Sequence, residues 1–327
     1  MRYVRMKKLL RIATSLFVLL CAPAITFAME QETLQKAWEK EEAQGFSSVD
    51  AQILANKHII FVAGFMNELT DLLGNYFDDN KRAVERFGGT HSYIGPSSKL
   101  SIAENANLIY KQIVGIAHRE QKPLILVGHS KGGATILHIL YEHPELILNG
   151  YVDKALLIQA ALGGSPLADN ASGIFFTMMS SILSPNTNTL SMNTSLSTFN
   201  SAHSLYKIGL KTFAKDAILS KKDLHKCISS RIFYVRSQTD KELSFGLKLI
   251  LGVLQDTADN YFKNHDGLLS LDAQFDPRVG IDLGIVRADH IDLTVSIVSN
   301  VSSQRREAFM RAAFKAMYSQ EDFYIYQ

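Results

Sequence analysis

The chain has 327 residues, with 34 Lys and Arg against 32 Asp and Glu and only two cysteines. That length can bury a substantial core in one large domain. The charge balance excludes a broadly basic nucleic-acid-binding surface, and two cysteines exclude a disulfide-stapled scaffold.

Residues 1–28 read as a secretory signal peptide. Arg2, Arg5, Lys7, Lys8 and Arg11 form a basic start, residues 12–22 are uncharged and mostly apolar, and Pro23 precedes the small-residue pattern Thr26-Phe27-Ala28. An uncleaved anchor is the alternative, although residues 12–28 are at the short limit for a span and contain that proline. Lipidation at Cys21 is disfavoured by the bulk of Leu20. Without this segment, which holds five of the 34 basic residues, the remaining 29 face 32 acidic ones, a formal charge of −3. Cys227 then has no intramolecular partner, which suits a bacterial periplasmic or secreted protein without disulfides.

Residues 29–327 are expected to form the folded domain. Residues 30–45 have a charged helical pattern, and His58–Val62 is an apolar strand leading into Ala63-Gly64-Phe65. Ser101 and Glu104 make a capping box opening a helix whose apolar face is Ile102, Ala106, Ile109, Ile113 and Ile116. A strand begins at Leu124, and a helix follows it with Ala134, Leu137, Leu140 and Tyr141 at helical spacing and Pro144 marking its end. Residues 155–162, 231–236 and, more weakly, 281–286 are further strands. An amphipathic helix over 303–317 carries Phe309, Met310, Ala313, Phe314 and Met317 on one side. Strands alternating with helices predict an α/β fold with a mostly parallel sheet covered on both faces.

Residues 163–216 interrupt this rhythm. They are rich in Ser, Thr, Asn and Met, and contain the apolar cluster Ile174-Phe175-Phe176-Thr177-Met178-Met179. A lid or cap over an apolar pocket, which would also meet a membrane surface, is the functional reading. An ordinary surface subdomain or a polar loop is the alternative.

The most specific motif is Gly128-His129-Ser130-Lys131-Gly132-Gly133, directly after the apolar run Leu124 to Val127. A G-x-S-x-G sequence between a strand and a helix is a nucleophile elbow, nominating Ser130 as an attacking hydroxyl. Gly128 and Gly132 leave room for so sharp a turn.

A serine hydroxyl needs a base, and the base needs an orienting acid. In elbow enzymes they follow in the order serine, acid, histidine. His203, His225, His265 and His290 lie far enough downstream, whereas His138 and His143 sit on or at the end of the elbow helix. Asn264-His265-Asp266-Gly267 and Ala288-Asp289-His290 fall in loops that strand ends would bring beside Ser130. The assignment is Ser130 nucleophile, His290 base and Asp266 acid. Asp240 is the alternative acid, and His265 would be the base if Asp240 were; Asp289 and Asp292 read as loop or capping carboxylates. The oxyanion donors are expected to be the backbone N–H groups of Lys131 and of Phe65 in the glycine loop after the first strand. The Lys131 side chain has no required role and reads as simply solvated.

On these residues the chain resembles the α/β-hydrolase superfamily, and within it bacterial secreted lipases and esterases, from about Lys57 to the last helix. Asp266-Gly267-Leu268 is similar to the acid loop of that lipase group, and Gly164-Ser165-Pro166-Leu167-Ala168-Asp169 to the segment entering its lid. The resemblance implies an eight-stranded sheet core and hydrolysis of lipid or acyl esters through an acyl-enzyme, with no cofactor. One departure is Ala63-Gly64, where the group has His-Gly. Some relatives carry structural calcium, for which no ligand set is evident here. Phospholipase, thioesterase, acyltransferase and peptidase chemistry share the triad. A hydrolase fold kept only for lipid or partner binding is the reading from a different class.

Overall fold

Five short apolar runs and one mixed run become strands: β1 (His58–Val62), β2 (Thr90–Ile94), β3 (Leu124–His129), β4 (Val152–Ile158), β5 (Ile232–Gln238) and β6 (Ile281–Arg287). They form one sheet in the order β2-β1-β3-β4-β5-β6, with every pairing parallel. The computed structural model describes residues 33–47, 50–65, 67, 76–97, 100–164, 221–239, 243–244, 264–296 and 299–319. The signal segment, Asp240 and all of the insertion after Gly164 lie outside the described residues. Contacts group Leu34–Gln327 as one unit, and Met1–Thr33 as another of which only Thr33 is described.

The parallel sheet explains the continuous apolar strands, since both of its faces are covered. Successive side chains point to opposite faces. Ile59 and Phe61 of β1, Ile125 and Val127 of β3 and Phe233 and Val235 of β5 enter one core with Trp38, Phe309 and Phe314. Ile60, Val62, Leu124, Leu126, Ile232 and Tyr234 enter the other with Ile109, Ile113, Ile136 and Leu140. Each fully buried side chain of this size contributes roughly 1.5–3 kcal/mol of transfer free energy.

Helices α1 (Leu34–Gln44), α2 (Asp78–Arg86) and α7 (Ser303–Ser319) cover the first face, with α7 packed on both α1 and α2. The charged α1 is held by a narrow stripe, Leu34, Trp38 and Glu41. Trp38 Nε1 donates to the Arg305 carbonyl at 2.7 Å, and its ring meets Phe309 edge-on at 5.6 Å. Glu41 pairs with Lys315 at 2.7 Å and Arg311 at 3.3 Å. On the second face, α3 (Ile102–Glu120) packs on α4 (Lys131–Glu142). Ser101 and Glu104 make the reciprocal capping box at its start. The short α5 (Glu145–Leu148) follows Pro144, and α6 (Lys221–Ser229) leads into β5.

Three features depart from the sequence pattern. The strand expected over 155–162 runs instead from Val152 to Ile158, because Gln159 adopts φ 47° and turns the chain out of the sheet. β2 was not foreseen; its residues Thr90-His91-Ser92-Tyr93-Ile94 lie at the sheet edge, where partial exposure erases the apolar signature. Helix α2 was also unforeseen, since its inward side includes the polar Asp79 and Asn80. Asp79 is instead neutralised by Arg306 at 2.5 Å and by Arg82. The described residues contain six strands, against the eight implied by the resemblance. No helix among them is long and apolar enough to cross a membrane.

Candidate active site

After β1 the chain steps outward to β2, then returns to the opposite side of β1 to form β3. The strand order therefore reverses between β1 and β3, and sheets of this kind place their ligands beyond the carboxyl ends of the strands at such a reversal. Two segments lie there: the loop Ala63-Gly64-Phe65 after β1, and Ser130 between β3 and α4.

Ser130 has φ 53° and ψ −123°, an unusual conformation for a residue with a side chain. Such strain costs on the order of 1–3 kcal/mol and persists only where the surroundings enforce it. Here Ser130 N–H donates to the Ile158 carbonyl at 3.1 Å, and its own carbonyl accepts from Ala161 at 3.2 Å. The small neighbours are required by space. A Cβ on Gly128 would lie 2.7 Å from Gly133 Cα, one on Gly132 would strike the Val62 and Ala63 carbonyls, and one on Gly133 would lie 2.8 Å from Ala160 Cβ.

His290 reaches this turn from the loop after β6. Its Nε2 is 2.9 Å from Ser130 Oγ, and its Nδ1 is 2.8 Å from Asp266 Oδ2. Asp266 is fully buried. Its other oxygen, Oδ1, accepts from the N–H groups of Leu268 and Leu269 at 2.9 and 2.8 Å, and its carbonyl accepts the His290 N–H at 2.8 Å. The Asp-Gly turn, with Gly267 at φ 103°, aims one carboxylate oxygen inward and clamps the other. The fold thus brings Ser130, His290 and Asp266 into one hydrogen-bonded line.

The alternatives among the described residues fall elsewhere. His265 faces its own loop, with Nδ1 accepting from Gly267 N–H at 2.9 Å. His225 is 3.1 Å from the Tyr141 hydroxyl and 2.9 Å from the Arg278 carbonyl. His203 and Asp240 lie outside the described residues. Asp289 and Asp292 brace the histidine loop: Asp289 accepts from Ser244, Ile291 and Asp292 N–H groups, and Asp292 from Asp289 and Asn300.

The loop after β1 touches the serine. A Cβ on Gly64 would sit 2.9 Å from Ser130 Cβ and 2.7 Å from the Tyr76 hydroxyl. Phe65 and the N-terminus of α4 at Lys131 therefore flank Ser130, and the helix end adds positive potential there. The Lys131 side chain corrects an expectation: it is buried, 1% exposed, with Nζ donating to the Leu100 carbonyl at 2.5 Å and 5.8 Å from the Phe65 ring centre. Its aliphatic stem lies in the core, and its ammonium finds carbonyls in the loop before α3.

Residues that sequence reasoning did not single out complete the surroundings. Tyr76 Oη accepts Gly64 N–H at 2.9 Å and stands 2.5 Å from His129 Nδ1. His129 Nε2 faces the His290 carbonyl at 2.8 Å and Gln159 Oε1 at 3.1 Å. Gln159 Nε2 donates to the Asp289 carbonyl at 2.8 Å and to Ser237 Oγ. The one sequence signal was the polar His129 ending an otherwise apolar strand. Among the described residues, no group of three or more His, Cys, Asp or Glu is arranged to hold a metal ion.

Burial, and secondly the nearby His290, pushes His129 well below the ordinary histidine value of 6.5. Burial also lowers His58 and His138. The unfolded chain therefore takes up these protons more readily, so their contribution to stability is lost as pH falls below about 6.5. Asp289, raised by burial and then by Asp292, acts in the opposite direction. The loss of melting temperature between pH 7 and pH 5 is expected to be smaller in His129→Asn than in wild type. Identical losses in the two would contradict this account.

No family model matches the sequence, and no curated protein matches it. Among solved structures, a metagenomic carboxyl esterase aligns over 85% of this chain and 78% of its own, with TM-score 0.58 and 22% identity. A Bacillus licheniformis lipase in mature form aligns over 72% and 85%, with TM-score 0.48 and 19% identity. Lipase 1 from Pelosinus fermentans aligns over 80% and 99%, with TM-score 0.45 and 16% identity. The parallel sheet, its strand order and the first of these likenesses define the class: the chain has the α/β-hydrolase fold.

Proposed function

We propose that the protein is a serine hydrolase that cleaves carboxylic esters, with lipid or other acyl esters as substrates. The observation that carries this reading is the line from Ser130 Oγ through His290 to buried Asp266, at 2.9 and 2.8 Å. The esterase fold neighbour supports the choice of an ester as substrate.

In this reading Ser130 Oγ attacks the ester carbonyl while its proton passes to His290 Nε2. Asp266 holds the Nδ1–H and stabilises the imidazolium. The backbone N–H groups of Phe65 and Lys131 receive the developing oxyanion. His290 then gives its proton to the leaving alkoxide, and the C–O bond breaks to leave an acyl-Ser130. Water repeats the sequence, releasing the acid and restoring the serine. Residues 163–216 act as the cover of the acyl pocket and its contact with lipid surfaces, and residues 1–28 direct the protein to the periplasm or outside the cell.

Fluorophosphonate labelling tests this reading, since the probe reacts with an activated serine. Wild type is expected to label at Ser130 and Asp240→Asn to keep the label, while His290→Ala and Asp266→Asn lose most of it. A folded but unreactive wild type would favour a binding-only protein. Strong labelling of Asp266→Asn with loss in Asp240→Asn would transfer the acid role to Asp240.

A further inference from the structure

The polar chain behind Ser130 has a direction, and the direction follows from its donors. Gly64 N–H donates to Tyr76 Oη at 2.9 Å, and that oxygen stands 2.5 Å from His129 Nδ1. In the neutral ring Nδ1 accepts the Tyr76 hydroxyl proton, because the carbonyl beside Nε2 can only accept and so fixes the ring's own proton on Nε2. That proton faces the His290 carbonyl at 2.8 Å and Gln159 Oε1 at 3.1 Å, both acceptors. Gln159 passes its own amide protons to the Asp289 carbonyl and Ser237 Oγ. A protonated ring would turn Nδ1 into a donor to Tyr76 Oη and reverse that link. Deep burial keeps the ring neutral.

The ends of the chain are the two parts of the site that must agree in position. At one end Gly64 is clamped between Tyr76 and Ser130, with no room for a Cβ. At the other, the carbonyls of Asp289 and His290 are held while the imidazole points at Ser130. Gly64 immediately precedes the amide of Phe65, and the carbonyls belong to the loop carrying the base. Both ends are referred to the same rigid strand, β3, through His129.

We propose that Tyr76 and His129 are positioning residues: a buried relay that sets where the 64–65 loop stands relative to His290. This rests on the serine-hydrolase reading above. Neither side chain handles the reacting atoms; they act through Gly64 and through the histidine loop. Packing is the competing account, since Tyr76 also meets Phe77 at 5.0 Å and His129 at 5.8 Å between ring centres. Tyr76→Phe separates the two, because it keeps the ring and removes the proton.

The experiment measures kcat and KM on a soluble short-chain p-nitrophenyl ester, with kcat referred to serines titrated by a fluorophosphonate. Loss of folded protein then lowers the titre and leaves kcat per site unchanged. Tyr76→Phe is expected to lower kcat per site roughly ten- to a hundredfold with KM changed by less than about threefold, as a sub-ångström to ångström misplacement does. His129→Ala is expected to lose as much. His129→Asn, whose Oδ1 stands where Nδ1 accepted the Tyr76 proton, is expected to recover about threefold or more of that loss. A Tyr76→Phe enzyme within about twofold of wild type per titrated site would overturn the relay and leave the hydrolase reading standing. Should Tyr76→Phe fail to fold, equal kcat in His129→Asn and His129→Ala overturns it instead. A folded wild type that neither labels nor turns over esters removes the hydrolase reading, and the relay with it.

Discussion

Ser130→Ala is expected to lower kcat for ester hydrolysis by roughly 10⁵- to 10⁶-fold, the cost of removing the nucleophile from a serine-histidine-acid unit. The substitution deletes one atom at a site where the backbone strain is unchanged, because alanine at φ 53° meets the same obstruction as serine. The lost Ser130–His290 hydrogen bond accounts for about 1 kcal/mol of stability. The melting temperature is therefore expected to move by a few degrees at most for a chain of this size. KM for a short ester is expected to stay near its wild-type value, since binding is left in place. Initial rates on p-nitrophenyl esters, with the fold checked by circular dichroism, decide the matter. Retention of more than about 1% of wild-type kcat is incompatible with Ser130 as nucleophile.

Asp266→Asn carries the second largest expected effect, a fall in kcat of about 10⁴-fold with the fold retained. The surroundings dictate why so small a change costs so much. Oδ1 of Asp266 accepts two backbone N–H groups, from Leu268 and Leu269. An asparagine must keep its amide oxygen there, so its NH2 group faces His290 Nδ1. That imidazole then accepts at Nδ1 and carries its proton on Nε2, 2.9 Å from Ser130 Oγ. A protonated Nε2 cannot take the serine proton. Activity that recovers at high pH, where hydroxide can serve as base, would agree with this tautomer account. Wild-type turnover at neutral pH in Asp266→Asn would exclude Asp266 as the orienting acid.

Much of the sheet was legible because parallel strands buried on both faces leave continuous apolar runs, as in Leu124-Ile125-Leu126-Val127. The capping box at Ser101 was legible for a local reason, since both partners lie within one turn. β2 and α2 were not. The first is an edge strand with one apolar side weakly expressed, and the second buries Asp79, which pairs with Arg82 on the same helix and with the buried Arg306 more than two hundred residues away. The buried Lys131 was misread on the same account, as the carbonyl that receives it belongs to another part of the chain.

The site divides in the same way. The elbow glycines and Ser130 are a local motif, because the turn they build is made by neighbouring residues. Chain order and loop position picked His290 and Asp266 as the partners of Ser130, with His265 and Asp240 as alternatives. Their convergence is tertiary: His290 lies 160 positions from Ser130 along the chain, and 24 from Asp266. Tyr76, His129 and Gln159 carry no motif that reveals their link, since each needs only a polar atom at a place defined by other strands. The sequence by itself determined the class of sheet and the strand-to-helix turn that presents Ser130, both products of short-range periodicity and glycine sterics. Only the tertiary structure decided which histidine meets that serine, which carboxylate meets the histidine, and what stands behind them. Hydrogen-bond geometry depends on tenths of an ångström between segments that the chain alone leaves far apart.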